Sequence, residues 1–215
     1  MTRRDNAIGL YMKGIRDGNP AAAQAAFTGA RYTQHSTGVL DGSAGFIEFF
    51  DSFIKRNPKR EIRVVRALED GNHVFVHVYQ SLNEGDSKWV TTDFFDTDAA
   101  GKIIEHWDVI GPYVPANPSG RSNIDGPTEI TDLHKTDANK TLVGDFIKTC
   151  LIDRQTDRMA EFINPSQYDQ HNVEGGDGFE HFRDFYAARD CPLSYQECFL
   201  MVGEGNFVAT LNRAK

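Results

Sequence analysis

One short pattern occurs twice in this chain, as Tyr32-Thr33-Gln34-His35 and again as Tyr168-Asp169-Gln170-His171. Downstream turn residues, Asn72 and then Asn206, keep nearly the same offset. Self-similarity at a fixed spacing marks duplication. It limits the 215 residues to two small units of one design, where length alone also permits a single large domain.

The hydrophobic period supports the same division. Ile8, Tyr11, Met12 and Ile15 fall at helical spacing, and Asp17-Gly18 ends that run. Asn19-Pro20 reads as a cap and first-turn proline before an alanine-rich helix that reaches about Phe27. Residues 32–42 read as irregular. Ser43 reads as the cap of a third helix striped by Phe46, Phe49, Phe50, Phe53 and Ile54. From Glu61 the period becomes two, with turns at Asp70-Gly71-Asn72, Asn83-Glu84-Gly85-Asp86 and Asp98-Ala99-Ala100-Gly101. The expected unit, residues 1–110, is α+β, with three helices laid on one face of a four-strand antiparallel meander. Residues 111–138, punctuated by Pro112, Pro115, Pro118 and Pro127, read as a linker or extended arm.

The pattern restarts over 139–215. Leu142, Val143, Phe146, Ile147, Cys150 and Leu151 form a helical stripe, and a second helix covers about 157–163. Phe179, Phe182, Phe185 and Tyr186 form a third stripe. Strands follow at about 193–202 and 207–211. Counterparts of the first unit's last two strands are missing, so the second unit reads as incomplete. A half sheet exposes an unpaired edge. The expectation is that the chain continues past Lys215, or that a strand from elsewhere completes the sheet.

A formal net charge of −8 argues against nucleic acid as the main partner. Three cysteines are too few, and odd in number, for a disulfide framework, and their spacing fits no zinc pattern. They read as reduced thiols in a cytoplasmic protein. The N-terminus lacks a signal-like apolar stretch, and no apolar run is long enough to span a membrane. No glycine-rich phosphate loop or serine-nucleophile elbow occurs.

The first unit resembles the SnoaL-like polyketide cyclase group of the NTF2-like superfamily. The resemblance is carried by Tyr32-Thr33-Gln34-His35 with Asp41-Gly42, Phe46-Ile47-Glu48-Phe49-Phe50, Val74-Phe75-Val76-His77, Thr92-Asp93-Phe94-Phe95 and Gly101-Lys102-Ile103-Ile104-Glu105-His106-Trp107-Asp108. The second unit resembles the same group less completely. The resemblance implies tandem cone-shaped folds, each a strongly curved antiparallel sheet with helices on one face and an apolar pocket inside. It also implies ring-closing or isomerising proton chemistry without a cofactor, although members of the group also only bind ligands or partners. Group members commonly dimerise through the sheet, so the two units are expected to pair within the chain, or the chain to form a homodimer.

Candidate site residues follow from strand alternation and from this resemblance. His73, Phe75, His77 and Tyr79 share one face of the second strand, and Val74, Val76 and Val78 take the other. The mixed aromatic and histidine face suits a pocket, and the valine face suits contact with the helices or with the neighbouring copy. Asp93 shares a face with Thr91 and Phe95. A carboxyl buried among apolar neighbours is costly unless paired, and its proton affinity then suits acid–base work. The group uses an acid in this region of the chain, which the resemblance places on Asp93. The resemblance also sets Gln34 and His35 near the pocket, where they reach a substrate carbonyl; fixing a loop is the plainer role for His35. Expected walls are Phe75, Tyr79, Phe95 and Trp107. His106 and Asp108 read as a solvated or partner-facing polar pair. His35, His77 and Asp93 form a conceivable iron-type ligand set, but no spacing motif supports it. In the second unit Phe207 and Leu211 stand opposite His73 and His77, so the chemistry is expected in the first unit alone. That chemistry reads as cyclase- or isomerase-like proton transfer on an apolar carbonyl compound, with Asp93, His77 and His35 as the acting groups. The competing reading is a non-catalytic small-molecule-binding or protein-interaction module.

Overall fold

Local signals set the first elements. In the computed structural model, which describes all 215 residues, Thr2 caps α1 (Arg3–Gly9), and the Asp5 carboxylate accepts from the Thr2 N–H in return. The helix runs on as a π-helical turn over Leu10–Arg16. Pro20 opens α2 (Pro20–Phe27). Asp41, rather than Ser43, caps α3 (Gly42–Arg56) through its own carboxylate. The strands are β1 (Thr28–Gln34), β2 (Arg60–Asp70), β3 (His73–Leu82), β4 (Ser87–Thr97) and β5 (Ile103–Pro112).

The sheet order is β1-β5-β4-β3-β2. Strands β2 to β5 form the expected meander. Strand β1 is a correction: it pairs in parallel with β5, so part of the segment read as irregular is a fifth strand. Its sequence, Thr28-Gly29-Ala30-Arg31-Tyr32-Thr33-Gln34, lacks an apolar alternation, and its partner lies far along the chain. The ladder between β4 and β5 contains a register shift. Asp96 faces Glu105, but Thr97 faces Ile103, so Ile104 is an extra residue on β5.

The core lies between the sheet and the helices. Val74, Val76 and Val78 are completely buried there, with Leu10, Tyr11, Ile15, Phe46 and Phe95. Each buried apolar side chain of this kind contributes about 1.5–3 kcal/mol.

The chain divides into two units, Met1–Tyr113 and Val114–Lys215. The second contains α4 (Thr136–Phe146), a π-helical turn over Ile147–Ile152, a 3-10 segment over Thr156–Glu161, α5 (Phe179–Ala187), β6 (Tyr195–Glu204) and β7 (Phe207–Ala214). Its sheet consists of β6 and β7. The proline-punctuated stretch is tied into this unit: the Asn117 side chain donates to the carbonyls of Gln170 and Asn172, and His171 Nδ1 lies 3.0 Å from the Ser122 carbonyl. No helix is long and apolar enough to cross a membrane.

Candidate active site

A cavity of about 500 Å³ opens in the first unit. Its apolar wall includes Leu10, Ile15, Phe46, Phe49, Phe50 and Phe53 from the helical layer. The sheet supplies Phe95, Trp89 and Ile110, together with a polar group made by Asp93, His106, Asp108, Thr91 and Gln80.

Register explains which side chains arrive. Val76 faces Asp93, and Asp93 faces Asp108, so all three point to one side of the sheet. Phe95 faces His106, and Gln34 on β1 faces His106 from the other side. The valine face therefore meets the helices as expected, and the cavity lies on that same side.

This placement corrects several expectations. His77 pairs with Thr92, and Phe75 with Phe94, which puts His77, Phe75 and Tyr79 on the opposite face. Trp107 pairs with Phe94 and takes that face too. Alternation on a single strand separates two faces but does not say which one the helices cover. His35 sits at the cavity rim, stacked on Trp107 with ring centroids 5.0 Å apart, and its Nε2 lies 2.8 Å from Glu105 Oε1. Asp93, Phe95 and Gln34 do line the cavity. His106, Asp108 and Tyr11 were not expected there; only the pairing with Asp93 reveals them.

Asp93 is 2% exposed and well partnered. The Tyr11 hydroxyl donates to its Oδ2 at 2.7 Å, and Thr91 Oγ1 lies 2.9 Å from the same hydroxyl. His106 Nε2 lies 2.7 Å from Asp93 Oδ1. His106 Nδ1 lies 2.6 Å from Gln34 Oε1, and the ring stacks on Phe95. Burial, and then the Asp93 charge, push the Tyr11 phenol well above its ordinary range, so it remains a donor. Burial likewise raises the half-buried Asp108 carboxyl, with Asp93 adding to the rise; the charge of His106 and the Ser36 side chain oppose it. Burial, reinforced by Arg66, depresses His77 to about 4 and keeps its ring neutral, away from the cavity.

Asp93, His106 and Asp108 each present a potential metal-ligand atom, all within 4.8 Å of one another. Two of those atoms, on Asp93 and His106, stand at hydrogen-bond distance and engage each other. The suggested set of His35, His77 and Asp93 is not assembled, because His77 lies across the sheet.

Residues 9–106 match the SnoaL-like domain family. The matched stretch runs from the end of α1 into the first residues of β5, hence it contains Tyr11, Gln34, Asp93 and His106, while Asp108 lies just beyond it. Solved structures with similarity to the chain include a candidate polyketide cyclase from Bacillus cereus, at 17% identity over 49% of this chain and 71% of that one, with a TM-score of 0.43. A candidate SnoaL-like polyketide cyclase from Jannaschia has 17% identity, covering 50% of this chain and 84% of that one at a TM-score of 0.43. AclR, a candidate hydroxylase from Streptomyces galilaeus, has 16% identity, covering 51% and 88% at a TM-score of 0.43. No curated protein matches the sequence significantly. The SnoaL-like stretch thus contains all of the cavity's polar group except Asp108.

Proposed function

We propose that the SnoaL-like unit is a cofactor-independent enzyme that moves a proton on an apolar carbonyl compound, in a cyclase- or isomerase-like reaction. The supporting observation is a buried carboxyl–imidazole pair, Asp93 and His106, opening with Asp108 onto a cavity walled by phenylalanines. Abstraction of a proton next to a carbonyl needs a base, a proton to return and a site that excludes bulk water. Asp108 faces the cavity with a raised proton affinity and exchanges the substrate proton. The Asp93–His106 pair holds a second proton beside it, and Tyr11 anchors Asp93. Oriented groups of this kind stabilise a developing enolate without reorganisation.

The second unit is read as a copy of the same design that lacks this chemistry. Its local bonds parallel the first. Gln170 Nε2 donates to the Tyr168 hydroxyl at 3.1 Å, as Gln34 Nε2 does to Tyr32 at 3.4 Å. The Gln170 N–H donates to Asp177 at 2.7 Å, as that of Gln34 does to Asp41 at 2.8 Å. In both units a π-helical turn continues an earlier helix, α1 in the first and α4 in the second.

The test is α-proton exchange. Enolisable apolar ketones and 1,3-diketones are incubated with the protein in D2O and followed by NMR. Exchange above the buffer rate is expected, with loss of at least tenfold in Asp93→Asn and Asp108→Asn. No exchange on any compound refutes the enzymatic reading, and full activity in both variants refutes the residue assignment.

A further inference from the structure

We propose that Gln34 is a positioning residue that fixes the proton of His106 on Nδ1, leaving one shared proton between His106 Nε2 and Asp93. The proposal rests on the acid–base reading of the cavity for its consequence, although its geometry stands without it.

Counting donors around Gln34 fixes the hydrogen. The Ser36 backbone N–H can only donate, and it points at Gln34 Oε1 from 3.1 Å. That fixes the amide orientation, because the reversed amide would set an NH2 group against the N–H. Gln34 Oε1 is then an acceptor, and His106 Nδ1, 2.6 Å away, must carry a hydrogen. A bare Nδ1 would leave two acceptors facing each other at that distance. The Gln34 amide nitrogen is directed to the Tyr32 hydroxyl, and the Gln34 backbone N–H is tied to Asp41, so the side chain is braced at both ends.

On the other side of the ring, His106 Nε2 and Asp93 Oδ1 stand 2.7 Å apart. The Asp93 second oxygen already accepts from Tyr11. One proton therefore serves the pair. It sits on Asp93 with a neutral ring, or on Nε2 with a carboxylate, and the pair is uncharged overall in both states. No nitrogen of His106 is left to face the cavity. The ring is a proton store behind the carboxylates, and Asp108 is the group presented to a ligand.

The second unit separates this role from loop bracing. Gln170 Oε1 accepts from the Asn172 N–H at 2.9 Å, repeating the Ser36 contact, but no histidine shares that oxygen. Gln170→Leu is therefore a control that removes the same brace without touching His106.

The experiment uses the full chain labelled with 15N-histidine, and long-range 1H–15N spectra that distinguish bare from protonated ring nitrogens. In the unaltered protein His106 Nδ1 is expected to be protonated. Gln34→Glu keeps an acceptor and should keep this pattern. Gln34→Leu should expose a bare Nδ1, with the hydrogen on Nε2 facing Asp93, and Gln170→Leu should leave the spectrum of His106 unchanged. A bare Nδ1 in the unaltered protein overturns the proposal, as does an unchanged His106 spectrum in Gln34→Leu. Where Gln34→Leu does not fold, the unaltered protein and Gln34→Glu decide. A protonated Nδ1 that responds to Gln34, in a protein without α-proton exchange, upholds this proposal and removes the enzymatic reading alone.

Discussion

Replacing His77 with Gln should flatten the acid sensitivity of the first unit. His77 is 9% exposed, and burial together with Arg66 lowers it from 6.5 to about 4. Between those values the unfolded chain binds a proton that the folded protein refuses. Stability therefore rises with pH through this window and is lost as pH falls from 6.5 toward 4. At about 1.36 kcal/mol per unit, the full shift corresponds to about 3 kcal/mol. Arg66 Nη1 lies 3.1 Å from His77 Nδ1 and donates to the neutral ring, and a Gln amide oxygen can accept in its place. The assay is urea unfolding at pH 7 and at pH 4, followed by tryptophan fluorescence. Both tryptophans, Trp89 and Trp107, lie in the first unit, so the signal reports that unit. The stability difference between the two pH values should shrink by about 3 kcal/mol in the variant, a midpoint change of roughly 1–3 M urea. Identical pH dependence in both proteins would refute the claim that His77 is held neutral by burial.

Three further outcomes are expected. Tyr11→Phe removes a donor to a buried carboxylate and strands the Thr91 hydroxyl, which should cost about 1.5–3 kcal/mol in urea unfolding. Gly45→Ala should destabilise by about 1–3 kcal/mol despite better helix propensity, because a Cβ there falls on the Leu40 carbonyl oxygen; a stabilised variant, read by thermal unfolding, would contradict the packing. Asp108 has a raised carboxyl, so its protonated form stabilises the fold below pH 3.8 and that contribution is lost as pH rises through its folded value. Asp108→Asn should remove this loss, seen as a shallower fall of stability with rising pH in acid titrations.

Much of the first unit is legible in its sequence. Strand β3 runs from His73 to Leu82, as alternation and the flanking turns predict, and the phenylalanine stripe of α3 faces the cavity. Strand β1 was not legible, because a seven-residue polar segment becomes a strand only through a distant parallel partner. The candidate site was half legible. Asp93 stood out as a carboxylate among apolar neighbours. His77 misled because its own strand offers two plausible faces, and the choice depends on which β4 residues lie opposite. His106 and Asp108 are hidden in the sequence for the same reason: it is equally compatible with an outward pair.

The extra residue Ile104 has a larger consequence than its local irregularity. Side chains on a strand obey an even–odd rule. Ile103, completely buried, and His106 both face inward although an odd number of steps separates them. Ile104 absorbs the mismatch. Were the same residues paired without this bulge and Ile103 still anchored, the inward set would change from His106, Asp108 and Ile110 to Glu105, Trp107 and Val109. Whether that one residue stays out of the ladder thus decides whether this cavity contains acid–base chemistry or a wall of different side chains. Deleting Ile104 should therefore give a regular ladder that keeps His106 and Asp108 facing inward, while forcing Ile104 into the ladder should silence the site and leave a sheet in place.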